Sequence, residues 1–131
     1  MKKMSNYEEY IMKILVKENI TFQREKSFSN LKKGKYRYDF YLPKHNICIE
    51  CDGEQHFHQV KCFQKNKSDF LKQQEHDRQK NSFCLANNIP LYRIPYWEIK
   101  NIKNFQDILN NSFKVKSKWH NDNLLEPGGY R

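Results

Sequence analysis

Residues 48–59 read CIECDGEQHFHQ, with two cysteines, three carboxylates, two histidines and one glycine in a single short run. Side chains of these types at this spacing support two kinds of chemistry. Cys48-x-x-Cys51 with His56, His58 and Cys62 could supply the sulfur and nitrogen donors of a tetrahedral zinc site. Glu50 and Asp52, with a further carboxylate, could instead offer hard oxygen donors of the kind that suit Mg²⁺ or Mn²⁺. The local pattern favours the second. NICIECDG alternates as a strand does, with Ile47, Ile49 and Cys51 on one face and Cys48, Glu50 and Asp52 on the other. The two thiols therefore diverge while the two carboxylates share a side. The cysteines read as small buried core residues, and the carboxylates carry the chemistry.

A third carboxylate comes from the preceding strand. YRYDFYLP places Tyr38, Phe40 and Leu42 on one face and Arg37, Asp39 and Tyr41 on the other. The short PKHN connection makes a hairpin that brings Asp39 towards Glu50 and Asp52. Two unit charges about 4 Å apart repel by about 4 kcal/mol at an effective dielectric near 20, and a divalent cation reverses that sign. The plain alternative is a solvated strand edge whose acids pair with the abundant Lys and Arg. Asp77 lies midway between Phe70 and Cys84 on the inward stripe of an expected helix over 68–87. A buried charge needs a partner, so Asp77 either serves the site or pairs with a cation such as Arg93. His56 follows Gly53-Glu54-Gln55, where the chain leaves the strand, and its near-neutral pKa suits proton transfer. His45 and His58 lack such a setting and read as surface residues.

The elements that position these groups are legible in turn. Ser5 can cap a first helix, with Glu8 at the capping-box position. Tyr7, Tyr10, Ile11, Ile14 and Leu15 form its buried stripe. Glu8 lies at the edge of that stripe and Glu9 on the opposite, solvated face. TFQREKSF reads as a strand and the Gly-containing, basic NLKKGK as a hairpin turn. A polar loop follows over 57–67. IPLYRIPYW reads as a short apolar strand, and NFQDILNNSF as a third helix capped by Asn104. The order is α-β-β-β-α-β-α, an α/β fold with a mixed central sheet flanked by helices. The expected domain covers 1–113, and 114–131 form a basic, irregular tail.

The chain of 131 residues fits one domain. It carries 24 Lys+Arg against 15 Asp+Glu, a formal net charge of +9. Aromatics reach 15% although the mean hydropathy is −1.02. Basic and aromatic together point to a polyanion, with double-stranded DNA the first candidate partner; a genome rich in Lys and Asn codons is the bland explanation. Lys32, Lys33, Lys35, Lys61, Lys65, Lys67, Lys72 and Lys80 are the expected phosphate contacts, and Tyr36, Phe57, Phe63 and Trp119 could stack on bases. Glu8 and Glu9 interrupt the N-terminal segment, which therefore does not read as a secretory signal. No apolar run approaches the roughly 18 residues of a membrane span. The cysteines are expected as reduced thiols, and the compartment as the cytoplasm, that of the host cell if the protein is viral.

The runs RYDFYLPKHNICIECDGEQHF and FLKQQEHDRQKNSFCLANNIPLYRIPYW resemble phage and giant-virus nucleases related to very-short-patch repair endonucleases. Their homing members carry the EDxHD motif within the PD-(D/E)xK superfamily. The resemblance covers roughly residues 5–110. It implies a restriction-endonuclease-like αβββαβ core and Mg²⁺-dependent (or Mn²⁺-dependent) hydrolysis of DNA. Carried over by position, it implies catalytic roles for Glu8, Asp39, Glu50, Asp52, His56 and Asp77. The metal would be held by Asp39, Glu50, Asp52 and the backbone carbonyl of Cys51. His56 would be oriented by Asp77, and Glu8 would position a water or His56. One departure stands out: Asp52 occupies the place of the superfamily lysine, so Gln55, His56 or Lys80 would have to share that role. The alternative is a non-catalytic nucleic-acid-binding module on the same fold, and a homodimer is one route to specificity for so short a chain.

Overall fold

A computed structural model describes residues 4–53 and 67–115. Its first element is α1 (Asn6–Lys17), capped by Ser5, whose Oγ accepts from the Glu8 N–H at 3.1 Å. Ile11, Ile14 and Leu15 bury the stripe expected of them, while Glu8 is buried and Glu9 exposed. Only half of the capping box is used, because the Glu8 carboxylate turns to Arg24, 3.7 Å away.

The chain then forms β1 (Gln23–Ser27), a short 3-10 turn over Lys32–Gly34, β2 (Arg37–Leu42) and β3 (Ile47–Asp52). Next come α2 (Lys67–Ala86), β4 (Leu91–Pro95), a 3-10 segment over Tyr96–Asn101, α3 (Phe105–Asn111) and β5 (Phe113–Lys114). Asn104 caps α3 by accepting from the Asp107 N–H at 2.8 Å. Among the described residues the sheet has five strands in the order β1-β2-β3-β4-β5. β3 and β4 run parallel, and the other neighbouring pairs run antiparallel. The protein is thus an α/β fold with a mixed sheet flanked by helices, in the element order read from the sequence as far as α3, with β5 added where Phe113 was expected to end the helix. The sheet extends slightly beyond residue 113, where the tail was expected to start: Lys114 belongs to β5 and Val115 is buried.

Two cores sandwich this sheet. On one face Ile11, Ile14 and Leu15 of α1 and Ile108 of α3 pack with Phe40, Leu42, Ile47, Ile49, Cys51 and Ile94. On the other, Cys84 of α2 packs with Leu31, Tyr38, Cys48, Leu91 and Val115. All six residues of β3 are buried, as a central strand covered on both faces requires. Its alternation is as expected, with Ile47, Ile49 and Cys51 towards α1 and Cys48 towards α2. β2 departs from its expected alternation. Tyr38 lies on the α2 side, together with Tyr41, whereas Phe40 and Leu42 lie on the α1 side. The slip falls at Asp39. Opposite it in β1 stands Glu25, a non-glycine residue at φ 50°, where the ladder skips from Arg24–Phe40 to Lys26–Tyr38. Left-handed backbone at such a residue costs about 1–2 kcal/mol, and here it turns the strand where the site begins.

Candidate active site

The β2–β3 ladder pairs Leu42 with Ile47, Tyr41 with Cys48 and Phe40 with Ile49. One step further on, carboxylates replace the backbone pairing. The Asp39 N–H donates to Glu50 Oε1 at 3.2 Å, and the Cys51 N–H donates to Asp39 Oδ2 at 2.8 Å. Each strand therefore offers an acid to the other strand's backbone, and the two acids are locked where the strands part. Buried N–H groups need acceptors, so this clasp fixes both side chains without further support.

Lys80, on α2, donates from Nζ to Glu50 Oε1 at 3.1 Å. Its side chain is 13% exposed and that of Glu50 4%. It also lies over the Tyr38 ring, 5.6 Å from the centroid, and the Tyr38 hydroxyl donates to the Lys80 carbonyl. Burial pulls the Lys80 pKa down, but Glu50, Asp39 and Asp77 outweigh it and leave the ammonium held above its usual range. Lys80 is therefore a largely buried charged group inside the site, paired with Glu50.

Asp39 stands in the opposite electrostatic position. Desolvation, then the neighbouring charges of Glu50 and Glu8, push its pKa well above the ordinary carboxylate value, against the Cys51 N–H and Lys80. Among the described residues Glu8 has an ion pair with Arg24 and Glu50 one with Lys80, while Asp39 receives a backbone N–H but forms no ion pair. Among the described residues three acids, Glu8, Asp39 and Glu50, meet two cations, Arg24 and Lys80, and that arrangement suits an added cation.

Asp52 and Asp77 lie elsewhere. Arg93 of β4, 1% exposed, donates from Nη1 to both Asp52 oxygens at 2.9 and 3.0 Å. Its Nε donates to Asn81 Oδ1 at 2.7 Å, and its Nη2 donates to the Asp77 carbonyl at 3.3 Å. The Asp77 carboxylate lies 3.7 Å from the same guanidinium and accepts from Gln73. Asp52, expected among the metal ligands, is thus engaged through both oxygens in a buried ion pair. Glu50 and Asp52 share the α2 side of β3 but are served by different cations, so the expected three-carboxylate cluster divides in two. The physical reason is Arg93, a single cation in an otherwise apolar strand that reaches both acids.

Among the described residues no group of three His, Cys, Asp or Glu side chains is placed to hold a metal ion. Asp39 and Glu50 alone fit Mg²⁺, which binds through one or two carboxylates and keeps water or substrate phosphate in its other positions. The Cys51 thiol faces the α1 core, and burial followed by the charges of Asp39 and Glu50 pushes its pKa well up, so only its carbonyl is a plausible donor. Cys48 and Cys51 lie in opposite cores, which removes the Cys-x-x-Cys zinc pair. Cys48 instead shares the α2-side core with Cys84.

Lys32, Lys33, Lys35 and Lys72 are exposed. His56, His58, Gln55, Phe57, Lys61, Cys62, Phe63, Lys65 and Trp119 lie outside the described residues, as does the Lys67 side chain. Sequence reasoning gave Arg93 no place beyond pairing with Asp77, although a lone arginine among apolar strand residues was the available signal. It passed over Asn81, Arg24 and His76. Asn81 and Arg24 make ordinary contacts that no spacing rule singles out; His76 carries one signal, its place one helical turn before Lys80.

No protein-family model matches the chain. It is 36% identical over 76 residues to uncharacterized protein 307L of Invertebrate iridescent virus 6. The match covers 58% of this chain and 36% of the viral protein, so the chain corresponds to little over a third of that relative's length. The relative is uncharacterised, so the likeness brings no activity with it.

Proposed function

We propose that the protein is a metal-dependent endonuclease that hydrolyses phosphodiester bonds of double-stranded DNA. The observation that carries this reading is the clasp of Asp39 and Glu50 where β2 and β3 part, with Lys80 on Glu50. Two fixed acids and one buried ammonium form a compact set for phosphoryl chemistry, and they sit in a chain of net charge +9. Asp39 and Glu50 would hold Mg²⁺ or Mn²⁺. When bound there, the ion would lower the pKa of a coordinated water and neutralise phosphate charge. Lys80 takes the role left open by the missing superfamily lysine: its ammonium can release Glu50 to the metal and donate to the attacking water or a phosphate oxygen. Glu8, held by Arg24, contributes negative charge beside Asp39. The exposed lysines of the β1–β2 turn and Lys72 would contact neighbouring phosphates. Likeness to a viral protein is in keeping with a viral origin, and action in the cytoplasm of an infected cell is part of the proposal.

The pairing of Asp52 and Asp77 with Arg93 favours a second reading, a binding module that keeps the fold without cleavage. Incubation of supercoiled plasmid with and without Mg²⁺ or Mn²⁺ separates the two, with Asp39→Ala as control. Metal-dependent nicking or linearisation that the variant lacks supports the nuclease. Salt-sensitive DNA binding without cleavage supports the module.

A further inference from the structure

His76 has no role in the site described above, yet it sits at the edge of that site. Its ring stacks on Tyr36 with centroids 4.4 Å apart and an interplanar angle of 37°. Tyr36 directly precedes β2, and Tyr38 two residues on lies beneath Lys80. Strand and helix are thus matched in two steps, Tyr36 with His76 and Tyr38 with Lys80. Four residues of helix advance by about 6 Å and two residues of strand by about 6.6 Å. That interval is of the order of the separation of successive phosphates along a nucleic-acid strand. The same line continues outward to the basic turn, where Lys32 and Lys33 are both left-handed (φ 48° and 54°) and Gly34 follows at 80°. Two consecutive left-handed lysines strain the backbone. Backbone strain of this kind persists where the surroundings over-determine it, and it gathers at binding sites.

We propose that His76, braced by Tyr36, binds the backbone phosphate next to the scissile one, between Lys80 on its inner side and Lys32 on its outer side. The inference rests on the nuclease reading and specifies how that site tracks the substrate strand. His76 is partly exposed, so its ring is accessible to such a phosphate.

Among the described residues, the charged groups acting on the imidazole are Lys80, Asp77 and Glu75 from α2 and Lys32 from the turn, and Tyr36 from the approach to β2 packs on its ring. Desolvation, then Lys80, with a smaller contribution from Lys32, lower the His76 pKa against Asp77 and Glu75. The neutral imidazole is therefore favoured in the free protein. A phosphate placed between the two lysines supplies the negative charge that favours the protonated ring, so binding takes up a proton. The sign follows: affinity rises as pH falls from 8 to 6, through the pKa of the bound state towards the lowered pKa of the free state.

The test is fluorescence anisotropy with a labelled mixed-sequence DNA duplex and the full chain, without divalent metal, at pH 6 and pH 8. Wild type is compared with His76→Gln and His76→Ala, each first checked for an unchanged circular dichroism melt. The expected result is tighter wild-type binding at pH 6, with a loss of roughly five- to tenfold in both variants at that pH. The variants should also show a flatter pH dependence than wild type. If wild type binds but His76→Gln reproduces its affinity and pH dependence, the phosphate role of His76 is overturned and the nuclease reading stands. If wild type does not bind the duplex at all, the phosphate role of His76 is overturned, and the plasmid cleavage assay decides the nuclease reading separately.

Discussion

Asp39 is the residue on which the functional reading turns, and its environment makes a prediction about stability as well as activity. It is crowded by Glu50 and Glu8 and partly desolvated, without an ion pair among the described residues. Without metal, its charge works against the fold. Asp39→Asn keeps an oxygen for the Cys51 N–H and removes that charge. It should raise the melting temperature of the metal-free protein while abolishing cleavage, and it should erase any thermal shift on adding Mg²⁺. A differential scanning fluorimetry titration reads both effects, and a destabilised variant would argue that Asp39 is a purely structural acid. Lys80→Met should leave the fold intact enough to bind DNA and reduce cleavage by about 10²–10³-fold, the usual loss for one group stabilising transition-state charge. Loss of binding and cleavage in equal measure would reassign Lys80 to substrate contact. At this scale Asp39 and Glu50 were readable because alternation in β3 and a short hairpin bring them together. The position of Lys80 depends on how α2 lies across the sheet, and no local spacing encodes that.

Among the elements, α2 departs furthest from the usual helix pattern. Its buried line runs Phe70, Gln74, Asp77, Asn81 and Cys84, so polar groups occupy the middle of the inward face. Arg93 of β4 makes that possible by donating to Asn81, the Asp77 carbonyl and Asp52. The pair sets the height of α2 over β3 and β4, and therefore where Lys80 reaches Glu50. Arg93→Met leaves two buried acids without their cation and should cost about 3–5 kcal/mol in denaturant unfolding. An effect below about 1 kcal/mol would show that water reaches this cluster and that Asp52 remains available to a metal. In the turn before β2, Gly34 at φ 80° has open space around a would-be Cβ, the nearest atom being 3.9 Å away. Gly34→Ala should therefore cost only the left-handed penalty, about 1–2 kcal/mol, measured in the same unfolding experiment.

For the whole molecule, the proposed DNA binding gives the net charge of +9 a test at the exposed turn lysines. Replacing Lys32, Lys33 and Lys35 together with alanine should lower DNA affinity and flatten its salt dependence. The log–log slope should fall by about 0.9 for each phosphate contact removed. An unchanged slope would move the DNA-binding face elsewhere on the protein. Among the described residues no helix is long and apolar enough to cross a membrane, in keeping with the absence of any long apolar run in the sequence.

The sequence by itself determined the element order, the caps at Ser5 and Asn104, the buried stripe of α1, the contrast between Glu8 and Glu9, and the two faces of β3. Each of these follows from a local period or a short-range hydrogen bond. Only the tertiary structure decided how the acids are shared out. Glu50 and Asp52 look equivalent along a strand, being two residues apart on one face. Lys80 and Arg93, brought in from a helix and a non-adjacent stretch of chain, give Glu50 to the site and Asp52 to the core. The slip of β2 at Asp39 was likewise invisible, because its cause is a left-handed Glu25 in the neighbouring strand and not any property of the β2 sequence. Charge partners and strand twist depend on which residues meet across the fold, and that is settled by packing over distances no periodicity reaches.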